Sequence, residues 1–268
     1  MSRWTGTRVI NHLHGSDFGS FYRDYPAVLK PVLKKAYNTV ETSIILTPGM
    51  EEQFSEFPEM KIEIVPNFYP TDFDKKMVKP RDGITILYFS HLMYSKGIFD
   101  FLEAIKLISS NYPEIFFKIA GDYTSDPTMT ANQVRKEIEN FLREHSDLNI
   151  KFRGSILTEK RFELLNESDI LVLPTFYKSE AVPLVILEAM RCGNAIVTTD
   201  HNYLSEIIDE RNGCLVESRN PHQLAYSIMN LLSDHDRLLE IQNHNIKEAI
   251  DKYKQEKFVR RVNDVITG

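Results

Sequence analysis

The sequence predicts an α/β fold with parallel sheets. Short apolar runs rich in β-branched residues recur along the chain, notably Thr85–Phe89, Ile115–Ala120, Ile170–Leu173 and Ala195–Thr199. Between them lie segments of helical period, as in Gly97–Ser110, where Phe101, Ala104, Ile105 and Ile108 share a face. Internal repeats and low-complexity stretches are absent. Strands alternating with helices imply parallel sheets covered on both faces.

In order, Arg8–His14 alternates weakly and reads as a strand ending at His14-Gly15. Ser20–Val40 has a helical pattern interrupted by Pro26 and Pro31. Ser43–Thr47 is a short apolar strand, Pro48–Phe57 a short helix and Lys61–Pro66 another strand. Asn67–Asp82, polar with Pro70, Pro80 and several lysines, reads as a linker. A second series follows: strand Thr85–Phe89, helix Gly97–Ser110, strand Ile115–Ala120 ending at Gly121-Asp122, helix Thr130–Glu144 and strand Ile150–Phe152. Helix Glu159–Asn166, strand Ile170–Leu173, helix Pro183–Cys192, strand Ala195–Thr199, short helix Leu204–Asp209 and strand Cys214–Val216 continue it. Asn220 caps helix Pro221–Leu232, with Pro at the first helical position, and His235–Thr267 is an amphipathic helical segment.

The 268 residues allow one large domain or two modest ones. Apolar content of 42% and charged content of 26% are ordinary for a soluble globular chain. A net charge of −6 argues against a nucleic-acid binder. The two cysteines, Cys192 and Cys214, have no metal-like spacing and read as reduced packing thiols. No apolar run reaches membrane-span length, and the first residues lack the apolar core of a signal peptide. These features read together as a cytoplasmic protein.

The most chemically informative segment is Thr175–Asp200. It reads as a loop after a strand end, a helix opened by Pro183, a stop at Gly193 and another strand. Ligands in open α/β sheets sit beyond the carboxyl ends of the strands. A helix N-terminus there offers free N–H groups and a positive dipole end, which suits a diphosphate. Glu180, before the helix, can accept hydrogen bonds from sugar hydroxyls. Glu188 lies inside the helix, and its two acceptor oxygens match a vicinal diol such as a ribose. The competing reading makes Glu188 a solvated helix residue and the spacing accidental. Lys96 stands before Gly97 at another strand end and fits a phosphate contact, or an exposed first-turn lysine. Gly121 permits close backbone approach, or is an ordinary turn glycine. Arg153 is a phosphate or base contact, or a surface charge.

These residues also carry a family resemblance. Phe89-Ser90-His91-Leu92…Lys96-Gly97, Ile119-Ala120-Gly121-Asp122, Phe152-Arg153-Gly154 and Pro174-Thr175…Glu180-Ala181-Val182-Pro183-Leu184-Val185-Ile186-Leu187-Glu188-Ala189-Met190 resemble the retaining glycosyltransferases of family 4 (glycosyl transferases group 1). The likeness covers about Thr85 to Leu232. It implies the GT-B fold of two facing Rossmann-like domains. The resemblance divides the chain into a partial acceptor-side domain (1–80), a nucleotide-sugar donor domain (81–244) and a C-terminal helix crossing back (245–268). It assigns Lys96 to the donor diphosphate, Glu180 to the donor sugar and Glu188 to the ribose. Gly121, Arg153, Ala181, Val182, Pro183 and Leu184 complete the expected donor site. Many members carry arginine where this chain has His91, and an imidazole supplies less positive charge at neutral pH. Asn11–Phe18 resembles the segment whose histidine approaches the donor sugar. His14 is the first choice and His12 the second, and a turn histidine beside Gly15 is the alternative.

The implied reaction transfers a sugar from a nucleoside diphosphate sugar to an acceptor hydroxyl with retention, without a metal or other cofactor, in cell-surface polysaccharide or glycan biosynthesis. Glu180, Lys96 and His14 are the expected catalytic residues. The acceptor is expected to be a glycan or a lipid-linked molecule. Relative to the family's pattern the N-terminal domain is incomplete, by roughly 60–90 residues at about 30 per β–α–β unit. An unpaired sheet edge would favour an oligomer or a partner chain. This motivates an alternative function, a truncated or partner-dependent donor-binding module without activity alone. Lys30, Lys34 and Lys35 cluster on one expected helix and suggest peripheral contact with the inner membrane face, or a basic stripe on a solvated helix.

Overall fold

A computed structural model describes residues 7–74 and 83–268. Two parallel sheets organise it. The smaller contains β1 (Ile10–His12), β2 (Thr42–Ile45) and β3 (Lys61–Ile64) in that spatial order. Its register sets Ile10 opposite Thr42 and Thr42 opposite Lys61. The larger sheet holds β4 (Thr85–Phe89), β5 (Phe116–Ala120), β6 (Ile150–Gly154), β7 (Ile170–Leu173), β8 (Ala195–Thr199) and β9 (Gly213–Val216). Its order is β6-β5-β4-β7-β8-β9. The chain builds outward from β4 to β6, then returns to build outward from β7 to β9. The reversal falls between β4 and β7, where an open α/β sheet leaves a crevice at the carboxyl ends.

Burial follows from this topology. Every residue of β7 and β8 is buried, because helices cover both faces of a parallel sheet. On one face, α3 (Ile98–Ser109) packs on α7 (Pro221–Ser233). On the other, α6 (Leu184–Arg191) packs on α8 (His235–Lys252). Thr130 caps α4 (Ala131–Glu144) in a reciprocal box with Gln133. The short α5 (Arg161–Asn166) precedes β7.

Around the small sheet, the helical run Ser20–Val40 is two helices, α1 (Phe18–Asp24) and α2 (Lys30–Tyr37). Pro26 lies in the break, while Pro31 sits in the first turn of α2, where a missing N–H costs nothing. The helix expected over Pro48–Phe57 is a 3-10 segment, Pro48–Phe54, and that over Leu204–Asp209 is a single 3-10 turn, Leu204–Glu206. The amphipathic C-terminal run breaks at Tyr253–Lys254, where Lys254 is extended, before α9 (Gln255–Thr267).

The expected linker needs a larger correction. Residues 75–82 of it lie outside the described residues. Its first half is a packed strap. Tyr69 and Phe73 are buried, the Asn67 amide donates to the Val182 carbonyl at 3.0 Å, and the Tyr69 N–H donates to the Tyr253 carbonyl at 3.0 Å. Polar composition suggested a loop, but the aromatic residues within it take it into the core.

Helix α9 returns to the small sheet. Arg8 donates to the carbonyls of Val265 and Ile266, and the Phe258 ring lies 4.5 Å from that of Phe68 and 5.9 Å from that of His12. One apolar cluster runs unbroken from Phe18, Met50 and Tyr69 to Leu171, Ile186 and Met190 under the large sheet. The small-sheet unit and the large sheet therefore share a core. A second cluster, including Phe101, Ile105, Leu224 and Ile228, fills the opposite face of the large sheet.

Candidate functional site

The loops after β4 and β7 flank the switch point, and they bring Lys96 to Glu180. A 3-10 turn, Tyr94–Lys96, leads into Gly97, whose φ of +74° lies in the left-handed region. A Cβ at Gly97 would stand 2.0 Å from the Pro174 carbonyl oxygen. Only glycine lets the start of α3 close onto the end of β7. The Phe176 N–H donates to the Ser95 carbonyl at 2.8 Å and draws the two loops together.

Lys96 and Glu180, 9% and 7% exposed, form an ion pair. The Lys96 ammonium also lies 5.0 Å from the centre of the Tyr177 ring. The Thr175 hydroxyl donates to Glu180 at 3.1 Å, and the Thr199 hydroxyl donates to the Thr175 carbonyl. The sequence assigned these two charges to different parts of one ligand. In this structure each is the other's partner, because two buried charges of opposite sign satisfy one another.

Glu188, on α6, is 2% exposed, so it is not a solvated helix residue. Burial pushes its carboxyl pKa up, and the Arg161 guanidinium, 2.5 Å away, opposes that shift. Sequence reading missed Arg161. One signal was present: a cation in the first turn of a helix stands against the helix dipole, so a compensating anion is to be sought.

Helix α6 starts one residue later than expected. Pro183 is its extended N-cap, and no side chain caps that end. Ala181 and Val182 are buried in the core, so only their backbone is available to a ligand, whereas Leu184 is exposed in the first turn. Gly121 has φ of +141°, and a Cβ there would lie 1.7 Å from the Ser90 carbonyl oxygen. Its glycine is required by the close approach of the chain leaving β4 and β5. Arg153 is exposed on β6 and lines a cleft of about 510 Å³ with Lys160, Glu163 and Glu167. Nothing in the described structure joins it to Lys96, Glu180 or Glu188. His91 is exposed, its ring nitrogen 3.2 Å from the Thr124 hydroxyl.

The chain after β1 reaches the Glu180 loop from the small sheet. The Ser16 hydroxyl donates to the Lys178 carbonyl at 2.8 Å, and the Ser179 hydroxyl donates to Asp17 at 2.7 Å. The Asn202 amide, after β8, donates to Ser16 Oγ at 2.9 Å, the Lys178 carbonyl at 3.1 Å and the Glu180 carbonyl at 2.8 Å. Asn202 has φ of +49°, a conformation Asn tolerates better than most residues. Sequence reading missed it, because nothing local announces three partners from two other loops.

The histidine segment is therefore tied beside Glu180. His14 is exposed and His12 half-buried, with ring centres 4.0 Å apart. Burial lowers both pKa values, that of His12 to about 4 with a further contribution from His14. Among the described residues no group of three or more His, Cys, Asp or Glu side chains is gathered as for a metal ion. A cleft of about 600 Å³ lined by Thr85, Phe117, Asn149 and Asp169 opens at the amino ends of the strands. The charge pairs sit at the opposite, carboxyl ends, where ligands bind in this architecture.

The family profile described as glycosyl transferases group 1 matches residues 83–234. The chain belongs to this family. Two uncharacterized glycosyltransferases of Methanocaldococcus jannaschii are similar to it: one is 29% identical over 67% of this chain and 46% of its own length, the other 25% identical over 96% and 68%. The match thus spans under half of the first relative and about two thirds of the second. The solved Anabaena protein HepE, in complex with UDP and glucose, superposes with a TM-score of 0.78 at 17% identity, over 100% of this chain and 73% of that one. Such likeness shows the fold, which is the GT-B arrangement of Rossmann-like units. No helix of this group 1 glycosyltransferase, among the described residues, is long and apolar enough to cross a membrane.

Proposed function

We propose that the chain binds a nucleoside diphosphate sugar and transfers its sugar to an acceptor hydroxyl with retention at the anomeric carbon, in cell-surface polysaccharide or glycan biosynthesis. The observation that supports this most directly is the buried Lys96–Glu180 pair at the switch point, with Glu188 behind it on α6. In this reading the bond from the anomeric carbon to the diphosphate oxygen breaks. The acceptor oxygen bonds to that carbon from the same face, and its proton passes to the departing diphosphate. An ammonium has three donors, so Lys96 can keep Glu180 and still meet the diphosphate. With the uncapped start of α6 it stabilises the negative charge that develops there. Glu180, held by Thr175 and Lys96, accepts hydroxyls of the sugar and orients it, and it is not assigned as a nucleophile. Glu188 accepts the ribose. His14 approaches the sugar from the small-sheet side. No metal or other cofactor is assigned a role.

A thermal-shift screen of UDP, GDP and ADP with their sugars tests the donor assignment, because a ligand of the folded state raises the melting temperature with concentration. One nucleoside diphosphate should stabilise the protein, and Lys96→Ala should remove that shift. No shift with any of them at millimolar concentration would sink the reading. Binding without transfer to any acceptor would instead favour the donor-binding module.

The acceptor reading extends to a lipid-linked molecule at the inner face of a membrane. Lys30, Lys34 and Lys35 lie on α2, and Val28, Leu29 and Val32 beside them are exposed. Cations beside exposed apolar side chains suit an anionic bilayer surface. Co-sedimentation with anionic but not neutral vesicles is expected, and equal partition into both would count against it.

A further inference from the structure

Glu188 presents a problem that the donor reading alone does not solve. A diol donates two hydroxyls, and only an ionised carboxylate offers acceptors alone. A carboxyl group buried to this degree tends to take up a proton and become a donor itself. Burial pushes Glu188 in that direction.

Arg161 supplies the counterweight. It reaches across from the first turn of α5, with Nη2 2.5 Å from Glu188 Oε2. Its guanidinium lies 5.3 Å from the centre of the Phe89 ring, at the carboxyl end of β4, so the aromatic face holds its position. Its Nε is buried without a hydrogen-bond partner, while the side chain as a whole is 31% exposed. The other charged groups around α6 face elsewhere. Arg191, on the same helix, meets Asp74 from the strap, and Lys96 meets Glu180 across the switch point. Among the described residues Arg161 is the charged group acting on Glu188.

We propose that Arg161 is a positioning residue of the donor site, holding the Glu188 carboxylate charged and oriented so that it accepts both hydroxyls of a ribose. The proposal rests on the donor reading above. A carboxylate has about four lone-pair sites on its two oxygens. Arg161 occupies one on Oε2, which leaves sites on both oxygens for the diol.

The test compares binding of a nucleoside diphosphate with its 2′,3′-dideoxy analogue by titration calorimetry, as a function of pH from about 6 to about 9. The nucleoside diphosphate is the one that the thermal-shift screen selects. Wild type should prefer the ribose form by roughly tenfold or more, the scale of hydrogen bonds to a charged group. Arg161→Leu should lose most of that preference at the acid end and regain part of it as pH rises and Glu188 ionises unaided. Arg161→Lys should restore it in part, since a lysine brings the charge without the planar stack. Glu188→Gln, which keeps shape and removes charge, should lose the preference at every pH. It also serves as the test if Arg161→Leu does not fold. A wild type that prefers ribose beside an Arg161→Leu variant with the same preference at all pH values overturns the role of Arg161 and leaves the donor reading standing. Retained preference in Glu188→Gln overturns it equally. A wild type that binds both alike overturns the ribose contact of Glu188 and with it the role of Arg161, whereas one that binds neither overturns the donor reading itself.

Discussion

At the scale of single residues, the site is built from charges that satisfy one another before any ligand arrives. Lys96 and Glu180 are paired, and so are Arg161 and Glu188. Hydrogen bonds to charged groups contribute about 1.5–3 kcal/mol. Glu180→Gln and Lys96→Ala should therefore each lower sugar transfer by at least about tenfold. Initial-rate assays check this, and wild-type turnover in both variants would contradict the assignment. His12 gives a pH dependence. Its pKa falls from 6.5 to about 4 on folding, through burial first and the neighbouring His14 second. The unfolded chain then binds more protons between those values. This contribution is complete above pH 6.5 and is lost as pH falls toward 4. Urea titrations across that window should show a shallower pH slope for His12→Phe, which keeps a ring against Phe258. An unchanged slope would remove His12 as a cause.

At the scale of elements, the strand ends are set by glycines that admit no side chain. Gly97 and Gly121 both have positive φ, and both face a carbonyl oxygen closer than any real Cβ contact. Gly97→Ala must strain the backbone or push β7 away from α3, at a cost of about 1–3 kcal/mol. It should lower the melting temperature and weaken nucleotide binding together, because Lys96 moves with its neighbour. Calorimetry that showed lost stability with intact affinity would separate the two. Strands β4, β7 and β8 were legible as apolar β-branched runs because both their faces are buried. The break between α1 and α2 was legible at Pro26, whereas Pro31 marks no break because a proline in a first turn gives up no helical hydrogen bond. The strap around Tyr69 was misread because polar composition outweighed three aromatic residues, Phe68, Tyr69 and Phe73.

At the scale of the whole molecule, one apolar cluster joins the small-sheet unit to the large sheet. The two should therefore unfold in a single cooperative transition by scanning calorimetry. Tyr69, buried in that shared core and bridged to the C-terminal helices, is its most direct test. Tyr69→Ala should destabilise by about 3–5 kcal/mol, the range for losing a large buried aromatic. Two resolved transitions in the wild type would refute the shared core. The polar contacts above this core have a different consequence. Asn202, Ser16 and Ser179 tie the loops after β8, β1 and β7 together, so the His14 segment and Glu180 are placed by one network.

Local chemistry along the chain was enough to establish the alternation of strands and helices and, to within one residue, the start of the helix after Pro183; it also singled out Lys96, Glu180 and Glu188 as candidates. Those depend on periodicity, on backbone rules for Pro and Gly, and on residue types at strand ends. Which charge meets which was decided only in three dimensions. Lys96 and Glu180 are far apart in sequence and adjoin because the strand order reverses between β4 and β7. Arg161 reaches Glu188 because α5 crosses back to start β7 beside β4. Asn202 joins loops from both sheets for the same reason. A pattern along one dimension records which side chains are buried, and only the chain crossings record what they are buried against.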